Sequence, residues 1–176
     1  MGVVALYPGS FDPVHYGHID IAQRAARIFE QVVVGVYDMP KKKLLFDVEE
    51  RVAFAAQAME GVTNIRVAKF SGFTVDYANE VGATVLVRGL RVFSDFELEF
   101  RMGLANKKLA PMLETVAIMS DINHIYISSS TIREIAELGG DVSGMVPPFI
   151  EEALIRRFAE LRATQSSPGY TISIRD

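Results

Sequence analysis

The chain has 176 residues, 49% of them hydrophobic and 23% charged, with a formal net charge of −4 and no cysteine. That length suits one domain with a substantial core, and the mild acidity gives no overall attraction to nucleic acid or anionic membranes, so any anion site must be assembled locally. The missing cysteines exclude a disulfide framework, a thiol nucleophile and a Cys-type zinc site, and no apolar run is long enough to span a bilayer, so a cytoplasmic protein with no membrane partner is expected.

Residues 3–7 read as an apolar strand, followed by an amphipathic helix over about 17–29 and a second apolar strand over 32–36, a βαβ unit. Asp47 and Glu50 have capping-box spacing for a helix through about Met59, and Asn64 to Ala68 supplies a third strand. A helix over 75–81 leads into the buried strand 84–87; then come a helix over 95–109, a strand over 115–119, a helix over 130–138 and a last helix from the Pro147-Pro148 pair to about Leu161. Strict alternation predicts an α/β fold, a Rossmann-like open parallel sheet with helices on both faces, whose ligands bind in loops at the carboxyl ends of the strands. Residues 1–162 are expected to form one domain, with 163–176 a flexible tail.

The loop Tyr7-Pro-Gly-Ser-Phe-Asp-Pro-Val-His-Tyr-Gly-His18 joins the first strand to the first helix. Gly9 and Gly17 permit close approach, and the helix start offers free N–H groups with partial positive charge, which suits a phosphate. The same residues also read as ordinary turn signals before a helix. Other post-strand loops carry Lys41, Lys42 and Lys43, then Arg88 and Arg91, then Ser128-Ser129-Ser130-Thr131. A parallel sheet would bring these to one edge as a cationic, hydroxyl-rich cleft suited to a polyphosphate, although the lysines could be a solvated loop, the arginines partners of Asp95 and Glu97, and the serines a helix cap. G-x-G-x-x-G and Walker patterns are absent, a zinc site would need more than His15, His18 and His124, and no serine has a nucleophile-elbow context.

His15-Tyr16-Gly17-His18 resembles the [T/H]-x-G-H motif of the nucleotidyltransferase superfamily, and Ile127-Ser-Ser-Ser-Thr-Ile-Arg133 resembles its second signature. Arg88-Gly-Leu-Arg91 followed by Asp95-Phe-Glu-Leu-Glu99 is similar to the R-G-L-R-x-x-x-D-F-E-x-E stretch of bacterial phosphopantetheine adenylyltransferases, and the likeness runs from about residue 3 to 160. It implies the nucleotidyltransferase fold and transfer of AMP from ATP to 4'-phosphopantetheine, giving dephospho-CoA and pyrophosphate. The Arg88 to Glu99 stretch argues against a nicotinamide mononucleotide adenylyltransferase or a glycerol-phosphate cytidylyltransferase. A non-catalytic nucleotide-binding protein is the reading from a different class.

By the same resemblance, His18, Ser10, Lys42 and Arg91 would be catalytic. ATP would be bound by Ser10, Phe11, His18, Gly89, Leu90, Arg91 and Glu99 and by the run His124, Ile125, Tyr126, Ile127, Ser128, Ser129 and Ser130. Phosphopantetheine would meet Ser10, Lys42, Thr74 and Arg88, with Lys41 or Lys43 as substitutes for Lys42. Ser10 stands where the family usually has threonine, Thr74 where it more often has an apolar residue, and His124 where tryptophan or tyrosine is more usual. Mg²⁺ is implied as the partner of ATP, held through phosphates and water, so no metal residues are assigned. A homo-hexamer and inhibition by coenzyme A are further implications.

Overall fold

The structure is a computed structural model that describes residues 2–40 and 43–165. Among the described residues, five strands and six helices follow one another in the order β1 (Val4–Gly9), α1 (Tyr16–Ile28), β2 (Gln31–Tyr37), α2 (Val48–Ala58), β3 (Ile65–Phe70), α3 (Thr74–Glu80), β4 (Val85–Leu90), α4 (Phe93–Leu109), β5 (Glu114–Met119), α5 (Ser129–Glu137) and α6 (Pro148–Gln165). All strand pairs are parallel, and the sheet order is β3-β2-β1-β4-β5.

Successive strand residues point to opposite faces, and both faces are covered. Ala5, Tyr7, Val32, Val34, Val36 and Val87 face a core completed by Ile21, Ala22 and Ala25 of α1, Ala55 of α2, Ile132 of α5 and Leu154 of α6. Leu6, Val33 and Leu86 face the other core, closed by Val75, Tyr77 and Ala78 of α3. This two-sided burial explains the unbroken Val-Val-Val run of β2, an interior strand buried on both faces from Val32 to Val36.

Local chemistry marks the element ends. The Asp47 carboxylate accepts from the Glu50 N–H at 2.8 Å while Glu50 accepts from the Asp47 N–H at 3.0 Å, the reciprocal box expected from their spacing. Asn64 donates to the carbonyls of Ala26 and Phe29, satisfying acceptors left over at the end of α1. Helix α6 continues to Gln165 rather than stopping near Leu161, so the first residues of the segment expected to be tail are helical. Arg162 and Thr164 donate to the carbonyls four residues earlier, Phe158 and Glu160, and so tie down this last turn. The remainder of the expected tail lies outside the described residues.

Replacing Asp47 with alanine removes the side-chain acceptor from the α2 box and should cost about 1 kcal/mol. For a domain of this size that corresponds to a melting temperature lowered by about 2–4 °C, readable by circular dichroism; an unchanged melt would mean that water replaces the cap without loss.

Candidate active site

Strand β1 is the point where chain connections part, with β2 on one side and β4 on the other. In open parallel sheets that reversal leaves a crevice beyond the carboxyl ends of the two strands. Two cavities open there. The first, about 440 Å³, is lined by Gly9, Ser10, Phe11, His18, Arg88, Gly89, Arg91, Asp95, Glu99 and Ser128 to Ser130, among others. The second, about 500 Å³, runs between Tyr37, Phe70, Phe73, Thr74, Leu86, Met102 and Leu109. They meet at Pro8, Gly9, Ser10, Arg88 and Glu99, which line both.

The β1–α1 loop holds His18 between two rings. Phe11, at the positive φ of 47°, is only 1% exposed and meets the His18 ring edge to face at 4.9 Å, while His15 stacks on it at 3.6 Å. Neither neighbouring glycine could carry a side chain without movement: a Cβ on Gly9 would fall 2.9 Å from the Phe11 ring, and one on Gly17 3.1 Å from His15. His15 is the N-cap of α1, and its Nδ1 accepts from the His18 N–H at 3.3 Å. Nδ1 is therefore unprotonated, and the neutral ring carries its hydrogen on Nε2. Burial, then the charges of His18, Arg91 and His124, hold the His15 pKa well below 6.5. Burial pushes the Tyr7 phenol up, so this lining residue stays neutral.

The two arginines expected from the sequence face the first cavity with fixed orientations. Arg88 makes two 2.6 Å hydrogen bonds to Glu99 and a third to the Pro8 carbonyl at 3.1 Å. Arg91 is held by Asp95 at 3.1 Å and by the Ile127 carbonyl at 2.9 Å, which links β4 to the segment entering α5. Asp95 is thus the partner anticipated for the arginines, whereas Glu97 lies 3.7 Å from Arg101 instead. The Ser128 hydroxyl caps α5 by accepting from Thr131 N–H, and Ser129 donates to the Pro13 carbonyl at 3.0 Å, so the second signature is tied to the first loop.

Not every residue anticipated for a nucleotide lies on the cavity surface. Leu90 ends β4, and Ile127 is fully buried, contributing its carbonyl. His124 stacks on Tyr16 at 6.2 Å, and its buried Nδ1 has no hydrogen-bond partner among the described residues. Ile125 and Tyr126 are exposed on the loop before α5. Thr74 lines the second cavity, with Ser10 and Arg88 at the junction. Lys42, like Lys41, lies outside the described residues. Sequence reasoning missed Glu99 as the carboxylate that holds Arg88, and it missed the apolar lining from Phe73, Met102 and Leu109.

The acidic groups at the cavity, Asp95 and Glu99, are already committed to arginines. Among the described residues no three His, Cys, Asp or Glu side chains gather as a metal cage.

The family model described as Cytidylyltransferase-like matches residues 6–135. A phosphopantetheine adenylyltransferase of Roseiflexus sp. (strain RS-1) is 50% identical over 155 residues, covering 88% of this chain and 97% of its own. Another from Herpetosiphon aurantiacus is 51% identical over 151 residues, covering 86% and 92%. Among solved structures, a Vibrio parahaemolyticus protein provisionally assigned as a nicotinate-nucleotide adenylyltransferase superposes with a TM-score of 0.69 at 18% identity, covering 91% of this chain and 97% of its own, a likeness of fold.

Because folded His15 resists a proton that the unfolded chain accepts, its contribution to stability is complete above 6.5 and is lost as the pH falls below that value. The melting temperature should therefore drop between about pH 7 and about pH 5. A His15→Thr variant, which keeps an acceptor for the helix cap, should lose less over the same interval; parallel curves for the two proteins would refute this role of the ring. The fold, the paired signatures and the extensive identity to these relatives together establish that the chain belongs to the phosphopantetheine adenylyltransferase family of cytidylyltransferase-like nucleotidyltransferases.

Proposed function

We propose that the protein transfers the adenylyl group of ATP to 4'-phosphopantetheine, giving dephospho-CoA and pyrophosphate, the penultimate step of coenzyme A synthesis, in the cytoplasm. The observation that carries this reading is the meeting of two unlike cavities at Ser10, Arg88 and Glu99, one lined by charged and hydroxyl groups, the other largely apolar. ATP phosphates suit the first. A thin chain ending in a phosphate suits the second, with the phosphate at the junction.

The acceptor oxygen forms a bond to the α-phosphorus of ATP as the bond from that phosphorus to the bridging oxygen breaks, and the electron pair leaves with pyrophosphate. A phosphate monoester is largely dianionic at neutral pH, so no general base is required, and the work is alignment and charge stabilisation. His18, clamped by Phe11 and His15, faces the transferred phosphoryl group from the start of α1. Arg91 neutralises the phosphates while Asp95 and the Ile127 carbonyl keep its fork aimed. The Ser10 hydroxyl touches both substrates, and Arg88 with Lys42 receives the acceptor phosphate. Mg²⁺ bound to ATP would supply further neutralisation of the departing pyrophosphate. Coenzyme A, which contains both an adenine nucleotide and the pantetheine arm, would occupy both cavities as an inhibitor.

Incubation with Mg-ATP should give dephospho-CoA by mass with 4'-phosphopantetheine, and no adduct with nicotinamide mononucleotide or without acceptor. Pyrophosphate release independent of an acceptor would contradict the reading. His18→Ala should lower kcat about 10²- to 10³-fold while ATP binding persists, whereas Arg88→Ala should raise the KM for phosphopantetheine about tenfold or more.

A homo-hexamer is the assembly we infer. Helix α4 exposes Phe96, Phe100 and Leu104 along one stripe, and Met112, Met119 and Ile122 are exposed in the segments after it. Apolar exposure on this scale is characteristic of a subunit interface. Light scattering should report about six chains per particle, and Phe100→Glu should yield smaller species; an unchanged mass for that variant would place the contact elsewhere.

A further inference from the structure

Arg51 is the largest fully buried side chain among the described residues, and neither the nucleotide signatures nor the reaction uses it. Its partners are backbone carbonyls rather than carboxylates. Nη1 donates to Ser10 and to Tyr37, each at 2.8 Å, Nη2 to Asp38 at 3.2 Å, and Nε to Phe46 at 3.2 Å. These carbonyls come from three segments: the loop after β1, the end of β2 and the approach to α2. Asp12, also fully buried, completes the arrangement from the other side by accepting from the N–H groups of Leu45 and Phe46 at 2.9 and 3.0 Å and from Arg133 of α5. Phe46 is therefore gripped at its N–H by Asp12 and at its carbonyl by Arg51.

Ser10 lines both cavities, whereas Tyr37 and Pro40 line only the second. One rigid fork thus spans from the junction to the wall of the second cavity. Among the described residues, none of its hydrogen bonds goes to α1, α5 or residues 88–99. A planar guanidinium is the side chain that can bridge several divergent acceptors at fixed separation, a task that a lysine ammonium cannot perform from one point.

We propose that Arg51 is a positioning residue for the acceptor substrate: by holding the Ser10, Tyr37 and Asp38 carbonyls at fixed separation, it sets the second cavity's width at the junction and hence the acceptor phosphate's approach to the α-phosphorus. This rests on the adenylyl-transfer reading above. Loosening that junction weakens the hold on the acceptor and leaves the ATP side in place, so the effect falls on the KM for phosphopantetheine rather than on the kcat that both substrates share.

The test compares wild type, Arg51→Lys and Arg51→Gln by steady-state kinetics with each substrate varied at saturation of the other. The readout is the ratio of kcat/KM for phosphopantetheine to kcat/KM for ATP. That ratio is independent of how much of the preparation is folded. Dephospho-CoA formation by wild type in the same assay tests the underlying reading separately, since its absence would reject that reading whatever the variants do. Positioning predicts that the ratio falls about tenfold or more in both variants, with the KM for ATP within about twofold of wild type. An unchanged ratio, an equal loss toward both substrates, or failure of both variants to fold would make Arg51 a stability residue only and overturn the proposal.

Discussion

The site depends on one topological constraint, the placement of β1 between β2 and β4 in an otherwise continuous parallel sheet. Because β1 pairs fully with β2 but with β4 only through Ala5 and Leu6, the strand ends diverge where Gly9 and Arg88 emerge. Strands β2 and β3 lie on one side of β1, and β4 and β5 on the other. The space between them is the crevice in which the two cavities meet. Ser10, His18, Arg88, Arg91 and Ser128 to Ser130 are delivered to it by strand ends or helix starts, and Glu99 by the interior of α4.

Loops this close to a reaction cannot be held by apolar packing alone, since they must leave room for substrates. Here they are held by buried charge. Asp12 and Arg51 reach the β1–α1 loop, the end of β2, the approach to α2 and, through Arg133, helix α5. Burying such groups is costly unless their hydrogen-bonding capacity is met, and here it is met almost entirely by backbone groups that lack partners in a helix or sheet. The same groups that satisfy the charges are thereby fixed. At the cavity itself, Glu99 and Asp95 do this for Arg88 and Arg91, orienting cations that would otherwise be free to follow solvent. Phe11 and His15 do it for His18 by stacking.

Much of this was legible in the residues. The apolar runs of β1 and β2, the Asp47–Glu50 box and the alternation of elements are local signals, and each depends on neighbours no more than a helical turn away. Spacing within the loops was sufficient to bring Ser10, His18, Arg88, Arg91 and Ser128 to one edge, given a parallel sheet. What was not legible depends on contacts distant in sequence. Arg51 is one case: only the packed loops reveal that its side chain turns inward to carbonyls as far away as Ser10. The second cavity is similar: Phe73, Met102 and Leu109 belong to separate elements, and no periodicity links them. The end of α6 was placed too early because Ala163 and Thr164 carry no core-facing signal, while the turn is closed by hydrogen bonds within the helix.

The central claim is that both substrates occupy the joined cavities together and that the acceptor phosphate displaces pyrophosphate in one in-line step. The most direct measurement uses an ATP analogue bearing sulfur on the α-phosphorus in a single configuration, with 4'-phosphopantetheine as acceptor, and assigns the configuration of the thio-substituted dephospho-CoA by phosphorus NMR. A single displacement predicts inversion at the α-phosphorus. Retention would require two displacements and an adenylylated side chain, contradicting an arrangement in which Ser10, Arg88 and Glu99 hold the two substrates in direct contact.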